Sequence, residues 1–357
     1  FRRYTNSNTT HITFMSDLIQ TKDLEQQFYS KPFYLSYSGL NKLLYSPSLF
    51  YKHYILQQRE EKLDSYLIDG KVIHCLLLDN GSFDEHFMLM PSNLPTGNTR
   101  NIVDKIYEIH DNSPEDMRVK TSLEEYNQDI LDNLKAINLH QSLTDDKKAP
   151  LKTGDEKRLE KIITDDTKAY FQFLKIKGNK DLIDDVTLAR CNEAVTAVRD
   201  NKEACELLGL FVDEMDNVDI YNEKYMEAET DKPFGLKGIL DNVKVDHKHK
   251  TVFINDLKTT GKTITEFRET LEVFNYWAQA AIYERLVMYN LVDVLGSGEW
   301  KVIFNFIVID KYNQVYCFEV STTTMLEWQL RLEKHLNHIQ WHYEKRDYRL
   351  PYEFIAG

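Results

Sequence analysis

Cysteine is scarce and scattered. The 357 residues hold four, Cys75, Cys191, Cys205 and Cys317, and no two of them form a C-x-x-C pair. That spacing excludes a zinc ribbon, a thiolate-held iron–sulfur cluster and a dithiol redox centre, and reads as reduced, buried thiols of an intracellular protein. Long apolar runs are missing too. None approaches the ~18 residues that a membrane-spanning helix requires, so no membrane association is expected. The polar opening Phe1–Thr10 has no apolar stretch of the kind a secretory signal carries, and the expected location is the cytoplasm. Basic residues are in deficit: 44 Lys and Arg face 57 Asp and Glu, a formal charge of −13. A protein that coats nucleic acid through a uniformly basic surface is thereby excluded, and any contact with phosphates must be local, in a groove whose charge opposes the chain average. No internal repeat is evident.

What is present is enough apolar material, 42% of the residues, for a sizeable core. Residues 1–35 lack a sustained period and read as an N-terminal arm, mobile or packing. From Ser36 the period is helical. Tyr37, Leu40, Leu43 and Leu44 share a face, with Ser36 or Ser38 as cap, and Ser46-Pro47-Ser48 ends that helix and begins another through Phe50, Tyr51 and Tyr54. A third helix, Tyr66 to Leu78, carries Gly70 and His74 and stops at Asp79-Asn80-Gly81. Helical stretches recur at Ile102–His110, Leu123–Leu139 and along Asp155–Leu208, where Leu188, Cys191, Ala194, Val195 and Val198 mark a buried stripe. Residues 36–208 therefore read as an all-helical framework.

The character changes after Gly209, and residues 209–357 read as the core of a composite domain shared with 36–208. Strand-type runs at Glu223–Glu229, Leu236–Val245 and Thr251–Leu257 precede a long helix, Phe274–Leu291. A hairpin, Trp300–Ile309 with Val315–Val320, and a closing amphipathic helix, Thr323–Glu344, come next. This order predicts a mixed sheet covered by helices, an α/β or α+β core behind a helical N-terminal half.

Alternate residues of a strand share a face, so Asp256 and Lys258 point the same way. Asp241 sits amid aliphatic residues on the preceding strand, a hairpin partner able to lie beside Asp256. Two carboxylates from neighbouring strands make a hard-oxygen site that suits Mg²⁺ or Mn²⁺. Lys258 would orient or deprotonate a water, or steady charge developing on a phosphate. On the following helix Gln279 and Tyr283 are four apart and share a face, suited to contacts with phosphate or base. In the first half Lys42, Tyr45, Tyr51, Lys52, His53 and Arg100 would grip a strand by phosphate pairing and stacking.

The ordered series Gly238-Ile239-Leu240-Asp241, Asp256-Leu257-Lys258-Thr259-Thr260 and Gln279-Ala280-Ala281-Ile282-Tyr283 resembles the G-x-x-D, D-x-K-T-T and Q-x-x-x-Y motifs of RecB-like PD-(D/E)XK nucleases. Upstream, Tyr37-Ser38-Gly39-Leu40, Ser46-Pro47-Ser48-Leu49-Phe50 and the run Gly70 to Leu78 are similar to the amino-terminal signatures of RecE-type exonuclease VIII nucleases. Matched blocks lie between Ser36 and Tyr283, and Leu94–Leu188 is not matched in detail. The resemblance implies a restriction-endonuclease-like PD-(D/E)XK fold and a metal-dependent DNA exonuclease using one or two Mg²⁺ or Mn²⁺ ions. It implies that His74, Asp241, Asp256 and the Leu257 backbone carbonyl hold metal, and that Lys258 is the catalytic lysine. Glu223 opens the strand where many members place a further acid, and Glu227 competes for that role. Gln279 and Tyr283, with Tyr276, would line the DNA path.

Hydrolysis would leave a 5′-phosphate and a 3′-hydroxyl, and would resect duplex ends for recombination alongside a single-strand annealing protein. A homo-oligomeric ring, in a bacterial cell or phage-infected host, is the corresponding expectation. Two other readings stay open. One is a single-strand or flap nuclease, against whose CRISPR-adaptation type the lack of a cysteine quartet counts. The other is a silent nuclease-fold DNA-binding or assembly protein, against which the survival of both acids and Lys258 counts.

Overall fold

Strands that are aliphatic on both faces need cover on both sides. The run Gly235–Asp246 meets that description, with Leu236, Leu240, Val243 and Val245 all sealed from solvent. A computed structural model describes residues 23–58, 65–91, 93–113, 120–148, 151–210, 217–291 and 300–356. It divides the chain into two units, one of residues 1–80 with 191–357 and one of residues 81–190. The composition change after Gly209 thus marks the approach to the long strands, whereas the units part at other points of the chain.

The first unit contains a six-stranded mixed sheet: β1 (Tyr34–Ser36), β2 (Val218–Ala228), β3 (Gly235–Asp246), β4 (Thr251–Thr259), β5 (Lys301–Ile309) and β6 (Val315–Glu319). β2 runs antiparallel to β3 along nearly its whole length. On the other edge of β3, β1 lies parallel to Gly235–Lys237 and β4 antiparallel to Asn242–Asp246. β4 and β5 are parallel, and β6 closes the order as an antiparallel hairpin. Between the stretches held by β1 and β4, residues 238–241 of β3 have no strand partner on that edge among the described residues. The sheet opens there.

The helices of the same unit include α1 (Tyr37–Tyr45), α2 (Ser65–Leu78), α3 (Lys202–Leu208), α4 (Tyr276–Asn290) and α5 (Thr322–Lys345). Ser36 caps α1, its hydroxyl accepting from the Gly39 amide, as its place before the apolar period predicts. Pro47 opens the next short helix, which passes into a π-helical turn at Tyr51–Ile55. The first two turns of α4 are buried on every side, with Trp277, Ala278, Ala280, Ala281 and Ile282 fully buried. A Cβ on Gly238 would lie 2.7 Å from Tyr283 Cε1, so that glycine lets α4 approach β3.

A row of amides crosses the sheet. Asn242 donates to Asn222 at 2.8 Å, Asn255 donates to Asn242 at 2.7 Å, and Asn305 donates to Asn255 at 2.9 Å. The same side chains reach the end of α3, where Asn242 caps the Leu208 carbonyl at 3.1 Å and Asn255 that of Leu207 at 2.8 Å. Lys244 donates to the Glu206 carbonyl at 2.5 Å, a cation at the negative end of the helix. The ladder pins the register, because a one-residue slip would turn every amide to the other face.

Of the N-terminal arm, residues 1–22 lie outside the described residues. Residues 23–29 are helical, and Phe28, Tyr29 and Phe33 pack on the main core, so the described part of the arm is a packing element. The second unit has its own core of Ile102, Val103, Ile106, Ile130, Leu134 and Phe171, with a capping box at Thr153–Glu156. It is not all-helical as expected. Phe87–Leu89 and Asp181–Ile183 pair as a two-stranded parallel sheet, and runs of three residues are too short for a period of two to be read. β1 likewise puts a strand where the residues read as the arm meet those read as the framework.

Candidate active site

The opening in the sheet creates the site. Pairing of β3 with β4 ends at Asn242 and Asn255, so the next two residues, Asp241 and Asp256, face each other across strands that no longer share hydrogen bonds. Leu257 therefore needs other partners. Its amide donates to Asp241 Oδ2 at 2.8 Å, and its carbonyl lies 3.0 Å from His74 Nε2 on α2. Neighbouring residues of a strand point to opposite faces, so Asp241 and Asp256 turn away from the face that carries Asn242 and Asn255.

Glu223 on β2 lies between Asn222, which pairs with Asn242, and Lys224, which pairs with Leu240, and so stands level with Asp241 without pairing in the ladder. Its φ of +46° is left-handed, a conformation that costs any residue with a Cβ roughly 1–2 kcal/mol. His74 Nδ1 lies 3.7 Å from Glu223 Oε1 and 3.7 Å from Asp241 Oδ1, and the three ligand atoms fall within 4.8 Å of one another. A carbonyl can only accept, so Nε2 carries a proton and, in the neutral ring, Nδ1 is bare. An imidazole that spends one nitrogen on a backbone carbonyl and turns the other toward carboxylates has the arrangement seen around bound metals.

The electrostatics of the group ask for a cation. Burial alone would push the His74 imidazolium down, yet the carboxylates of Asp241 and Glu223 hold it above its usual range. Burial raises the Asp256 carboxyl to about 6, with Lys258 opposing and Asp241 adding to the rise. Asp256 is fully buried, and neither of its oxygens receives a hydrogen bond of good geometry, although it pairs with Lys258. Burial works against the Lys258 ammonium, but Asp256 and Asp241 more than offset it, so the charge is kept. Nζ also rests 4.9 Å from the centre of the Tyr276 ring. One imidazole nitrogen, two carboxylates and a further buried acid beside them form a donor set able to hold a divalent cation.

The residues read from the sequence fall into three groups. His74, Glu223, Asp241, Asp256, Leu257 and Lys258 are brought together. The Leu257 carbonyl, expected as a ligand, is engaged by His74 here. Glu227 is four residues along β2 and is hydrogen-bonded by Tyr225. Gln279 and Tyr283, expected along a DNA path, are both buried. Gln279 donates to the Tyr283 hydroxyl at 3.0 Å, and that hydroxyl donates to the Ile239 carbonyl at 2.7 Å. Their spacing shows that they share a face, and on turns buried on every side even that face is packed. Only Gln279 Oε1 is left there without a hydrogen-bond partner. Of the basic residues, Lys52 is exposed and Lys42 half-buried. Arg100 belongs to the second unit, where it pairs with Asp104 at 3.8 Å and lies over Tyr170.

The asparagine row went unread in the sequence. A signal was present: Asp241-Asn242 and Asn255-Asp256 are mirror images, as an antiparallel register demands, and asparagine is disfavoured in strands.

No family model matches the chain, and no curated protein does. Among solved structures it is similar to a crystal structure of a "Putative exonuclease" from Eubacterium rectale, at 11% identity and a TM-score of 0.40, over 94% of this chain and 86% of that one. A likeness that distant carries no argument about activity.

Proposed function

We propose that the chain is a metal-dependent nuclease that hydrolyses phosphodiester bonds in DNA. The observation that carries the reading is the convergence of His74 Nδ1, Glu223 and Asp241 within 4.8 Å, beside a buried Asp256 paired with Lys258. When bound there, a divalent cation supplies Lewis-acid polarisation of a phosphate. His74, Glu223 and Asp241 would hold it, and Asp256 adds negative charge from the next strand. Lys258, whose ammonium Asp256 and Asp241 favour, would stabilise charge developing on the phosphate or orient the attacking water. Tyr276 and Asp256 fix the direction of Lys258.

The motif resemblance extends the proposal to an exonuclease that resects duplex ends, working with a single-strand annealing protein and assembling as a ring. Among the described residues no helix is long and apolar enough to cross a membrane. Digestion of blunt, recessed and single-stranded DNA with Mg²⁺ or Mn²⁺ tests the reading. Cleavage that EDTA stops, and that falls at least ~10²-fold in Lys258→Ala and Asp241→Asn, is the expected outcome. A parent protein that binds the cation and cleaves none of the three substrates would overturn it.

A further inference from the structure

A cleft of about 840 Å³ opens beside this site, within the same unit. One wall is α1, with Lys42 and the rim residue Tyr45, which is 81% exposed. The other is α5, where Arg331, His335 and His338 stand at successive turns of one face. Tyr37 lines the inner end, and its ring lies 6.5 Å from that of Tyr276, the ring against which Lys258 rests. One pair of aromatic rings thus stands between the cleft and the lysine of the acidic pocket.

We infer that this cleft binds the phosphate-bearing backbone of a nucleic-acid strand leading to the acidic site, an inference that rests on the nuclease reading. Arg331 and His338 are seven residues apart, about 10 Å along a helix, farther than one phosphate spans. Lys42 faces the same space from the opposite wall. The ligand chemistry that suits such a row is an extended polyanion, and Tyr45 offers a base a free ring to stack on. The acids near these side chains do not close the site. Arg331 pairs with Glu272 at 2.8 Å and His338 with Glu353 at 3.3 Å, and both acids are exposed, so these pairs are weak and exchangeable for phosphate. His335 Nδ1 is buried without a hydrogen-bond partner in the protein. In a chain of net charge −13, Lys42 and Arg331 bring two side-chain cations to facing walls of this cleft, and His335, whose imidazolium burial disfavours, offers a neutral ring beside them.

The test is fluorescence anisotropy of a labelled short oligothymidylate with the full chain in EDTA, so that binding is read without cleavage. Two variants alter different walls, Arg331→Gln with His335→Gln on α5 and Lys42→Gln on α1, and Lys248→Gln in the exposed β3–β4 turn is the control. Both cleft variants are expected to weaken binding by roughly tenfold and to flatten its dependence on salt, with the control unchanged. Circular dichroism separates lost binding from lost fold, and a fault confined to the α5 variant leaves Lys42→Gln to decide. Parent-like binding by both folded cleft variants would overturn the inference. So would failure of the parent to bind, or displacement of the oligonucleotide by inorganic phosphate at matched phosphate concentration, which would mark a site for a lone anion. The two readings fail apart. Weakened binding in the variants with no cleavage by the parent sinks the nuclease and leaves the cleft, and the converse sinks the cleft alone.

Discussion

Glu223 offers a perturbation whose sign ordinary strand behaviour would get wrong. Inside a strand, glycine is normally less stable than alanine by roughly 0.5–1 kcal/mol, because it loses more backbone freedom on folding. Here φ is +46°, and any side chain with a Cβ bears roughly 1–2 kcal/mol of left-handed strain that glycine escapes. Subtracting one from the other leaves Glu223→Gly more stable than Glu223→Ala by about 0–1.5 kcal/mol, centred on about 0.75 kcal/mol, the reverse of the usual order. Both variants remove the same carboxylate from beside Asp241, so electrostatic and cation effects cancel in the comparison. Urea unfolding of both in EDTA, with equal slopes and different midpoints, reads the difference. Titration with Mn²⁺ should show both binding the cation at least ~10-fold more weakly than the parent, since one of three converging ligands is gone. An alanine variant as stable as the glycine variant or more so would refute the claim that strain is held at this residue for the sake of the site.

The asparagine row should be costly to break. Asn255→Leu leaves Leu207 O, Asn242 Oδ1 and Asn305 Nδ2 each without the bond that Asn255 supplied. At roughly 1–3 kcal/mol apiece, less about 2 kcal/mol for burying a leucine, a net loss of about 1–7 kcal/mol is expected in denaturant unfolding. A change under ~1 kcal/mol would show that the row is dispensable. Cation affinity should also depend on pH. Burial holds the Asp256 carboxyl up at about 6, against the pull of Lys258, so below that pH it is protonated and the pocket loses a negative charge. The raised His74 imidazolium acts in the same direction, because a protonated ring cannot serve as a ligand. Mn²⁺ affinity by calorimetry should therefore climb as pH rises through about 6, by up to ~10-fold per pH unit for each proton displaced, and go on climbing until the raised His74 imidazolium has also lost its proton. Affinity that is flat or falling over that interval would contradict the placement of Asp256 beside the ion.

Much of the sheet could be read directly, because β3, β4 and β5 bury nearly every residue and carry aliphatic runs bounded by turn residues. Short elements could not. Tyr34–Ser36 and the two strands of the second unit are three residues each, too brief to show a period, and only pairing partners distant in the chain make them strands. The described end of the arm is held by aromatic contacts with residues such as Tyr343, which no local pattern anticipates.

By itself the sequence determined the candidates: two acids on strands that form a hairpin, a lysine two residues from one of them, and a histidine on an earlier helix. The acids and the lysine come from period and hairpin order, which are local properties, and the histidine from the motif resemblance. Only the tertiary structure decided which acid joins them, because Glu223 and Glu227 lie on one strand and long-range register alone sets Glu223 level with Asp241. It alone turned Gln279 and Tyr283 inward, since spacing along a helix names a shared face without saying what covers it. The parting of β3 from β4, which frees Leu257 for Asp241 and His74, is likewise a property of the assembled sheet, where a backbone group left unpaired by one strand must be satisfied by another element.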